Sequence, residues 1–243
     1  MLPALYHAHH SMNNEDIPFW LNLARESQGA ILELGVGTGR IYDPLLITGK
    51  MVIGLDNDIQ MLKYLLNNLP TELKRKRMVF QGDLTAFHLA SRFGLILLAC
   101  NTYSTLTPNQ RKTTLRCVVD HLQPGGVFAV SLPNGEFLKS LPRYGEAEIE
   151  EIFPHPLDHE PVQVSSGWIL TEEQFTLFWH YDHLLPDGGV DRKSVKVVHQ
   201  LTETKEFYAE FRAAGFKDVL TFGDFDRSEL ISSSPMVIFL ASL

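Results

Sequence analysis

The sequence has few cysteines, little basic charge and no long apolar segment. Only two of its 243 residues are cysteines, so we expect no disulfide framework and a reducing compartment. The formal net charge is −8, which argues against a protein that grips nucleic acid through its phosphates. No run approaches the roughly 20 apolar residues that span a bilayer, and no apolar signal core follows a charged N-terminal region. We therefore expect a cytoplasmic protein without membrane or nucleic-acid partners.

Two polar segments are expected to face solvent. Residues 1–15 contain His7, His9 and His10, and we expect an irregular N-terminal arm whose histidines are exposed rather than bound to a metal. The run KRKR at 74–77 is interpreted as a solvated loop or helix end. The run HYDH at 180–183 has side chains that can bind a metal, but same-face pairs within a single strand are an insufficient basis for a site, so we expect no metal.

Residues 31–40, ILELGVGTGR, join a short apolar run to three glycines at alternate positions. The apolar run predicts a buried strand, and the glycines allow a tight turn that a ligand can approach closely. A dinucleotide fingerprint would need glycine at position 40, where the chain has Arg40, and no Lys-Ser/Thr pair follows for a phosphate-binding loop. The pattern still indicates the nucleotide-binding corner of a doubly wound α/β fold.

Two more apolar runs, residues 51–56 and 78–83, each end in an acid, Asp56 and Asp83. An acid at the tip of the second strand can accept hydrogen bonds from both hydroxyls of a ribose. Residues 123–130, QPGGVFAV, predict a turn followed by a fifth strand.

These motifs, in this order and spacing, resemble those of the class I S-adenosylmethionine (SAM) dependent methyltransferases. The resemblance implies an α/β, Rossmann-like fold with a mostly parallel seven-stranded sheet and helices on both faces. It also implies SAM as the cofactor and S-adenosylhomocysteine as the product. The implied cofactor-binding residues are Glu33, Gly35, Gly37, Gly39, Asp56, Asn57, Asp83, Leu84, Cys100, Asn101 and, from an arm folded over the cofactor, Tyr6.

Residues 134–200 interrupt the strand–helix rhythm of what we expect to be a single domain, residues 1–243. Three β-rich runs at 162–171, 174–182 and 192–200 predict an antiparallel insert. The acidic run at 146–151 is interpreted as a solvated face. Inserts at this place in the family form a substrate lid or a subunit contact, so we expect one of these roles, the second through a homodimer.

Candidate catalytic residues come from two segments. Residues 93–99 predict a central strand, and ligands bind beyond the carboxyl ends of such strands, which places Tyr103 near the reacting group as an orienting side chain. Histidine suits a general base near neutral pH, and His155, His159, His180 and His183 lie in the insert. We select His180, which shares a strand face with Asp182.

Residues 101–104, NTYS, stand where a DNA adenine methyltransferase would carry an Asn/Asp-Pro-Pro-Tyr/Phe motif. This departure favours a small-molecule acceptor. The whole chain is similar to the glycine and amino-sugar N-methyltransferases, which implies methyl transfer to a nitrogen or oxygen of a small molecule. Two alternatives stay open: a SAM-binding protein that transfers no methyl group, and an RNA or protein methyltransferase.

Overall fold

A computed structural model describes residues 1–68 and 71–243, with only the backbone described at positions 71, 74 and 75. The basic run at 74–77 therefore lies partly outside the described side chains. The helices are α1 Leu2–His10, α2 Ile17–Glu26, α3 Tyr42–Ile47, α4 Ile59–Asn68, α5 Pro108–His121, α6 Gly135–Ser140 and α7 Thr204–Ala214. The strands are β1 Ile31–Leu34, β2 Val52–Asp56, β3 Val79–Gln81, β4 Phe93–Leu98, β5 Leu122–Pro133, β6 Tyr144–Pro154, β7 Pro161–Leu170, β8 Gln174–Leu184, β9 Val190–Gln200, β10 Asp218–Phe222 and β11 Met236–Ser242. Within the described part of the chain, no helix combines the length and the apolar composition that a bilayer crossing requires.

Seven strands form the main sheet in the order β10-β11-β5-β4-β1-β2-β3. β1 pairs in parallel with β2 and β4, while β11 runs antiparallel to both β5 and β10. All six residues of β4 are buried, as expected for a strand covered on both faces. The predicted Rossmann-like architecture with a mostly parallel seven-stranded sheet is confirmed, and the antiparallel strand is β11.

Apolar clusters cover both faces of this sheet. Ile31 packs with Trp20 and Tyr42 on one face, and the next residue, Leu32, packs with Phe128 and other aromatic side chains on the opposite face. Successive strand side chains point to opposite faces, so β1 contributes to both halves of the core. The same alternation directs Glu33 to the face that carries α2 and α3.

The insert is a separate antiparallel sheet with the strand order β6-β7-β8-β9. The prediction of three strands is wrong by one, because the acidic run at 146–151 lies within β6. β6 is an edge strand with mostly exposed side chains, and such charge on an edge discourages pairing with other chains. Charge that indicated a solvated face therefore concealed a strand.

The N-terminal arm is also ordered, and the prediction of an irregular arm with exposed histidines is wrong. α1 begins at Leu2 with Pro3 in its first turn, where a missing N–H costs nothing. Leu5 is buried in a cluster with Phe153, Val162 and Tyr181 of the insert. α1 thus packs against the antiparallel sheet, and this contact brings its remaining side chains over the glycine turn.

Candidate functional site

The glycine turn follows β1 at the carboxyl edge of the main sheet. The amides of Gly35 and Val36 donate to the carbonyl of Leu55 at 2.7 and 3.0 Å. Gly37 and Gly39 have φ angles of 54° and 92°, in the region that favours glycine. A Cβ on Gly39 would also lie 2.9 Å from a methyl of Leu65. The turn therefore requires glycine for its backbone geometry and for its close approach to α4.

Asp56 at the end of β2 stabilises this turn through a hydrogen bond. Its Oδ2 accepts from the Gly37 amide at 2.7 Å, and its Oδ1 accepts from the Asp58 amide at 2.8 Å. Burial raises the pKa of Asp56 above its usual value, while these backbone donors act in the opposite direction. Each carboxylate oxygen keeps a further lone pair, so the group can also accept hydrogen bonds from the hydroxyl groups of a ligand.

Glu33 places a carboxyl group below the turn, with only 3% of the residue exposed. Burial raises the pKa of Glu33 well above the ordinary value; Asp43 and Asp56 add to this, while Arg40 opposes it. Glu33 Oε2 has no hydrogen-bond partner among the residues that the structure describes, and neither has Asn101 Oδ1. Buried acceptors without donors suit a ligand that carries an ammonium group, such as the amino acid end of SAM.

The second and third strands end beside each other, as the sequence predicts. The Gly82 amide donates to the Asp56 carbonyl at 2.9 Å, which brings Asp83 next to the Asp56 segment. Asp83 Oδ1 accepts from the amide and hydroxyl of Thr85, and these bonds lower the pKa of Asp83. The Asn57 carbonyl accepts from Gln81. Leu84 is half-buried against the core.

Cys100 and Asn101 follow β4 in an unusual backbone conformation. Their φ angles are 58° and 63°, which residues other than glycine seldom adopt. Such strain is found where a site requires a particular backbone direction. Arg40 Nη2 donates to Cys100 Sγ at 3.1 Å, and the same guanidinium forms a two-pronged ion pair with Asp16 at 2.6 and 2.7 Å.

α1 covers the turn from above. His7 Nδ1 lies 3.0 Å from the Thr38 hydroxyl, which connects α1 directly to the glycine segment. Burial raises the pKa of Tyr6, and the charges of Cys100 and Asp56 raise it further, while Arg40 acts in the opposite direction. The ring of His10 lies 4.1 Å from that of Tyr6 and 5.2 Å from that of Trp179. Burial lowers the pKa of His10 to about 3.

Tyr103 does not belong to this surface, which corrects its prediction as an orienting residue. The side chain is fully buried, stacks on Phe211 and donates its hydroxyl to Glu210 Oε2 at 3.2 Å. The left-handed turn at Cys100 and Asn101 redirects the chain, so Tyr103 enters the core on the far side of β4.

His180 lies on the wrong face of its strand, so its prediction as a general base also needs correction. Its neighbour Tyr181 faces α1, where its hydroxyl is 3.1 Å from His9 Nδ1. Because side chains alternate along a strand, His180 points away from α1 and the glycine turn. It pairs instead with Ser194 across β9 at 2.8 Å.

Several residues at the site were not singled out from the sequence. Asp16 stands at the N-terminus of α2, but its side chain makes no cap and binds Arg40 and the Trp20 indole instead. His199 Nδ1 lies 2.8 Å from the Ser104 hydroxyl, which donates its proton to the Asn101 carbonyl. The histidine must therefore donate, and burial lowers its pKa to about 4. Arg40 could have been selected from the sequence, because it directly follows Gly39. Asp16 and His199 could not, because they reach the site through contacts between residues that lie far apart in the sequence.

Comparisons with known proteins agree with this geometry. Residues 31–126 match the family described as "Methyltransferase domain". An uncharacterized methyltransferase of Bacillus thuringiensis is 27% identical over 110 residues, which cover 44% of this chain and 50% of that protein. The match thus spans about half the length of these curated relatives.

Solved structures match nearly the whole chain. A SAM-dependent methyltransferase from Clostridium acetobutylicum has a TM-score of 0.79 and 14% identity, covering 99% of this chain and 97% of its own. CalS10, an amino pentose methyltransferase from Micromonospora echinaspora solved with SAM, has a TM-score of 0.74 and 17% identity, covering 98% and 96%. The fold is that of the class I SAM-dependent methyltransferases. The predicted resemblance is therefore confirmed.

Proposed function

We propose that this protein transfers a methyl group from SAM to a nitrogen or oxygen of a small-molecule acceptor. The observation that carries the proposal is the orphaned, buried carboxyl of Glu33 beside a three-glycine turn held by Asp56. A buried acid without a donor matches the amino group of SAM, and an acid at the tip of β2 matches a ribose.

Each site residue has an expected part in binding. Glu33 accepts from the amino group, Asp56 accepts from the ribose hydroxyls, and Gly35, Gly37 and Gly39 let the ligand approach the backbone. Asp83 and the Leu84 amide hold the adenine, next to Asn57. Cys100 and Asn101 contribute backbone atoms, and Tyr6 covers the bound ligand. SAM supplies the activated methyl group.

The protein's contribution to the reaction is alignment and exclusion of water. Methyl transfer needs the two reactants held in line, which can supply much of the rate enhancement. Tyr6 and His10 of α1, with Trp179 of β8, form an aromatic wall to which we assign the acceptor. His10 is neutral at pH 7 because burial lowers its pKa to about 3, so its ring can face an acceptor without charge repulsion.

A small-molecule acceptor is supported by two features. The net charge of −8 opposes a nucleic-acid substrate, and CalS10, which shares this fold, methylates an amino pentose.

The antiparallel insert has two faces. Its inner face packs against α1, and together they cover the glycine turn. Its outer face carries the exposed side chains of Ile152 and Ile169, with Phe178 on the same face, and we keep this face as the candidate contact of a homodimer.

Calorimetric titration with SAM and with NAD⁺ tests the cofactor. We expect SAM to bind in the micromolar range and NAD⁺ not to bind. Asp56→Ala should weaken SAM binding by about 2–4 kcal/mol, because it removes charge-assisted hydrogen bonds and loosens the glycine turn. Asp187→Ala is the matched control, since Asp187 also accepts a backbone N–H but lies in the distant β8–β9 turn. Equal SAM affinity in both variants would overturn the Asp56 assignment.

Product analysis tests the transfer itself. Incubation with SAM and panels of amines or phenols should accumulate S-adenosylhomocysteine. SAM binding without this product in any panel would favour the alternative of a SAM-binding protein. Product formation with RNA or protein acceptors alone would overturn the small-molecule proposal.

A further inference from the structure

Three side chains of the insert meet at one point outside the glycine site. His155 and Asp158 lie in the turn between β6 and β7, and His183 lies near the end of β8. We call this group the His–Asp–His cluster. Its ligand-type atoms all lie within 4.8 Å of one another.

The contacts within the cluster converge on a single oxygen. Asp158 Oδ1 lies 2.8 Å from His155 Nδ1 and 3.2 Å from His183 Nε2. Both histidines are buried, with 4% and 8% of each residue exposed, whereas Asp158 is exposed. Two buried imidazoles thus direct one nitrogen each toward a carboxylate at the surface, where an ion can enter from solvent.

These spacings are close to those of a metal's ligands. Nitrogen and oxygen ligands lie about 2.0–2.2 Å from Zn²⁺, so tetrahedral neighbours are roughly 3.3 Å apart. Two imidazoles and a carboxylate are a donor set that first-row transition metals accept, and Zn²⁺ tolerates varied geometry. Each neutral imidazole would keep its proton on the nitrogen that does not bind the ion.

The rings must adjust for an ion to bind. Their centroids are 3.9 Å apart and their planes differ by 13°, so a single ion cannot lie in the planes of both rings at once. Rotation of one ring about its Cβ–Cγ bond would bring the second nitrogen to the ion. The bound state should therefore break the stacking of His155 on His183.

We propose that the His–Asp–His cluster binds one divalent transition-metal ion such as Zn²⁺ through His155 Nδ1, Asp158 Oδ1 and His183 Nε2. The ion would join the β6–β7 turn to the end of β8. The adjoining residues Phe153, Val162 and Tyr181 hold Leu5 of α1, so the ion would stiffen the platform on which α1 docks. The site is separate from the glycine turn and does not depend on the proposed methyl transfer.

From the sequence we expect no metal, because His180, Asp182 and His183 belong to a single strand. In the structure, His183 instead lies beside two residues from another segment. His155 and Asp158 are three residues apart in one turn, and the third ligand comes from 25 residues beyond Asp158. Only the pairing of β7 with β8 brings them together.

The test is titration of the untagged, chelator-treated chain with Zn²⁺ by calorimetry, without SAM or acceptor. We expect one ion per chain with a micromolar or lower Kd, and a higher Tm with Zn²⁺ than without. Asp158→Asn should weaken binding at least tenfold while preserving the fold, because the side chain is exposed and the amide is isosteric. His183→Ala should give the same loss.

His180→Ala is the matched control, on the same strand but the opposite face, and it should bind Zn²⁺ like the wild type. Co²⁺ should give visible absorption bands in the wild type and lose them in Asp158→Asn. No Zn²⁺ binding by the wild type would overturn the proposal. So would equal affinity in Asp158→Asn, which would place the ion elsewhere, for example on the histidines of α1.

Discussion

At the scale of single residues, Glu33 combines nearly complete burial with an ionisable carboxyl group. It is enclosed by Asp16, Asp43 and Asp56, and Arg40 is the cation that offsets them. Such an arrangement disfavours an ionised carboxylate until a cation enters. Residues of this kind mark functional sites because a folded core alone gives no reason to keep them.

Glu33→Gln should separate folding from binding. The raised pKa means that ionisation of Glu33 costs stability as the pH rises from the unfolded value of about 4.5 through the folded pKa. Glutamine removes this cost, so stability at pH 7 should be equal or higher, while SAM affinity should fall by about tenfold or more. Thermal unfolding and calorimetry measure the two effects. Lower stability with unchanged affinity would contradict the assignment.

Tyr103→Phe should affect stability alone. The change deletes the hydroxyl that Glu210 accepts and keeps the ring in the core, so we expect a loss of about 1 kcal/mol. SAM affinity and turnover should stay at wild-type values. Tyr6→Phe is the comparison at the site, and a loss of turnover in Tyr103→Phe would return that residue to the acceptor side.

At the scale of elements, α1 joins the two sheets. His7 contacts Thr38 of the glycine segment, while His9 contacts both Tyr181 of β8 and Glu150 of β6. The helix is nine residues long and lacks a side-chain cap, so its stability comes from these tertiary contacts. It is therefore suited to open and close over the site.

Acid should release α1. Burial lowers the pKa values of His7 and His10, and the charged groups that act on His10 are His9, Arg40 and, in the opposite direction, Glu150. Docking is thus fully present above the free value of about 6.5 and weakens as the pH falls below it, by roughly 1–2 kcal/mol near pH 5. Hydrogen exchange of the α1 amides measures the release. His10→Gln should reduce the pH dependence, and an identical dependence would contradict the mechanism.

At the scale of the whole molecule, a buried ion pair joins α5 to α7. Arg111 is 1% exposed and holds Glu210 through two bonds of 2.6 and 2.8 Å, with Phe207 beneath its guanidinium. Tyr103 shares the same carboxylate. Three segments distant in sequence thus meet at Glu210, on the side of the sheet opposite Glu33.

Glu210→Ala should destabilise the protein by about 3–5 kcal/mol, because it leaves the buried charge of Arg111 without a partner. The double variant Arg111→Met/Glu210→Leu should recover most of this loss, since neither charge then remains. Chemical denaturation measures both. Equal stability of Glu210→Ala and the wild type would show that the pair is solvated.

The sequence predicts those parts of the molecule whose signals are local. The glycine turn, the acids at the strand ends and the uninterrupted apolar β4 each identify themselves within about ten residues. α1 carries little local signal, since Leu5 becomes apolar core only through contact with Phe153 and Val162. Tyr103 follows a strand end, as a site residue should, but two left-handed residues turn it inward. Partners such as Glu210 and His199 lie 107 and 95 residues from the groups they bind.

The docking of α1 has a consequence for synthesis. His9 and Tyr181 are 172 residues apart, so α1 leaves the ribosome long before its partners exist. At about 5–20 residues per second, the delay is roughly 10–30 s. During this time the glycine turn can fold with β1 and β2, but it has no cover. The nascent chain therefore completes its ligand-binding corner first and gains the means to enclose a ligand only after the insert has emerged.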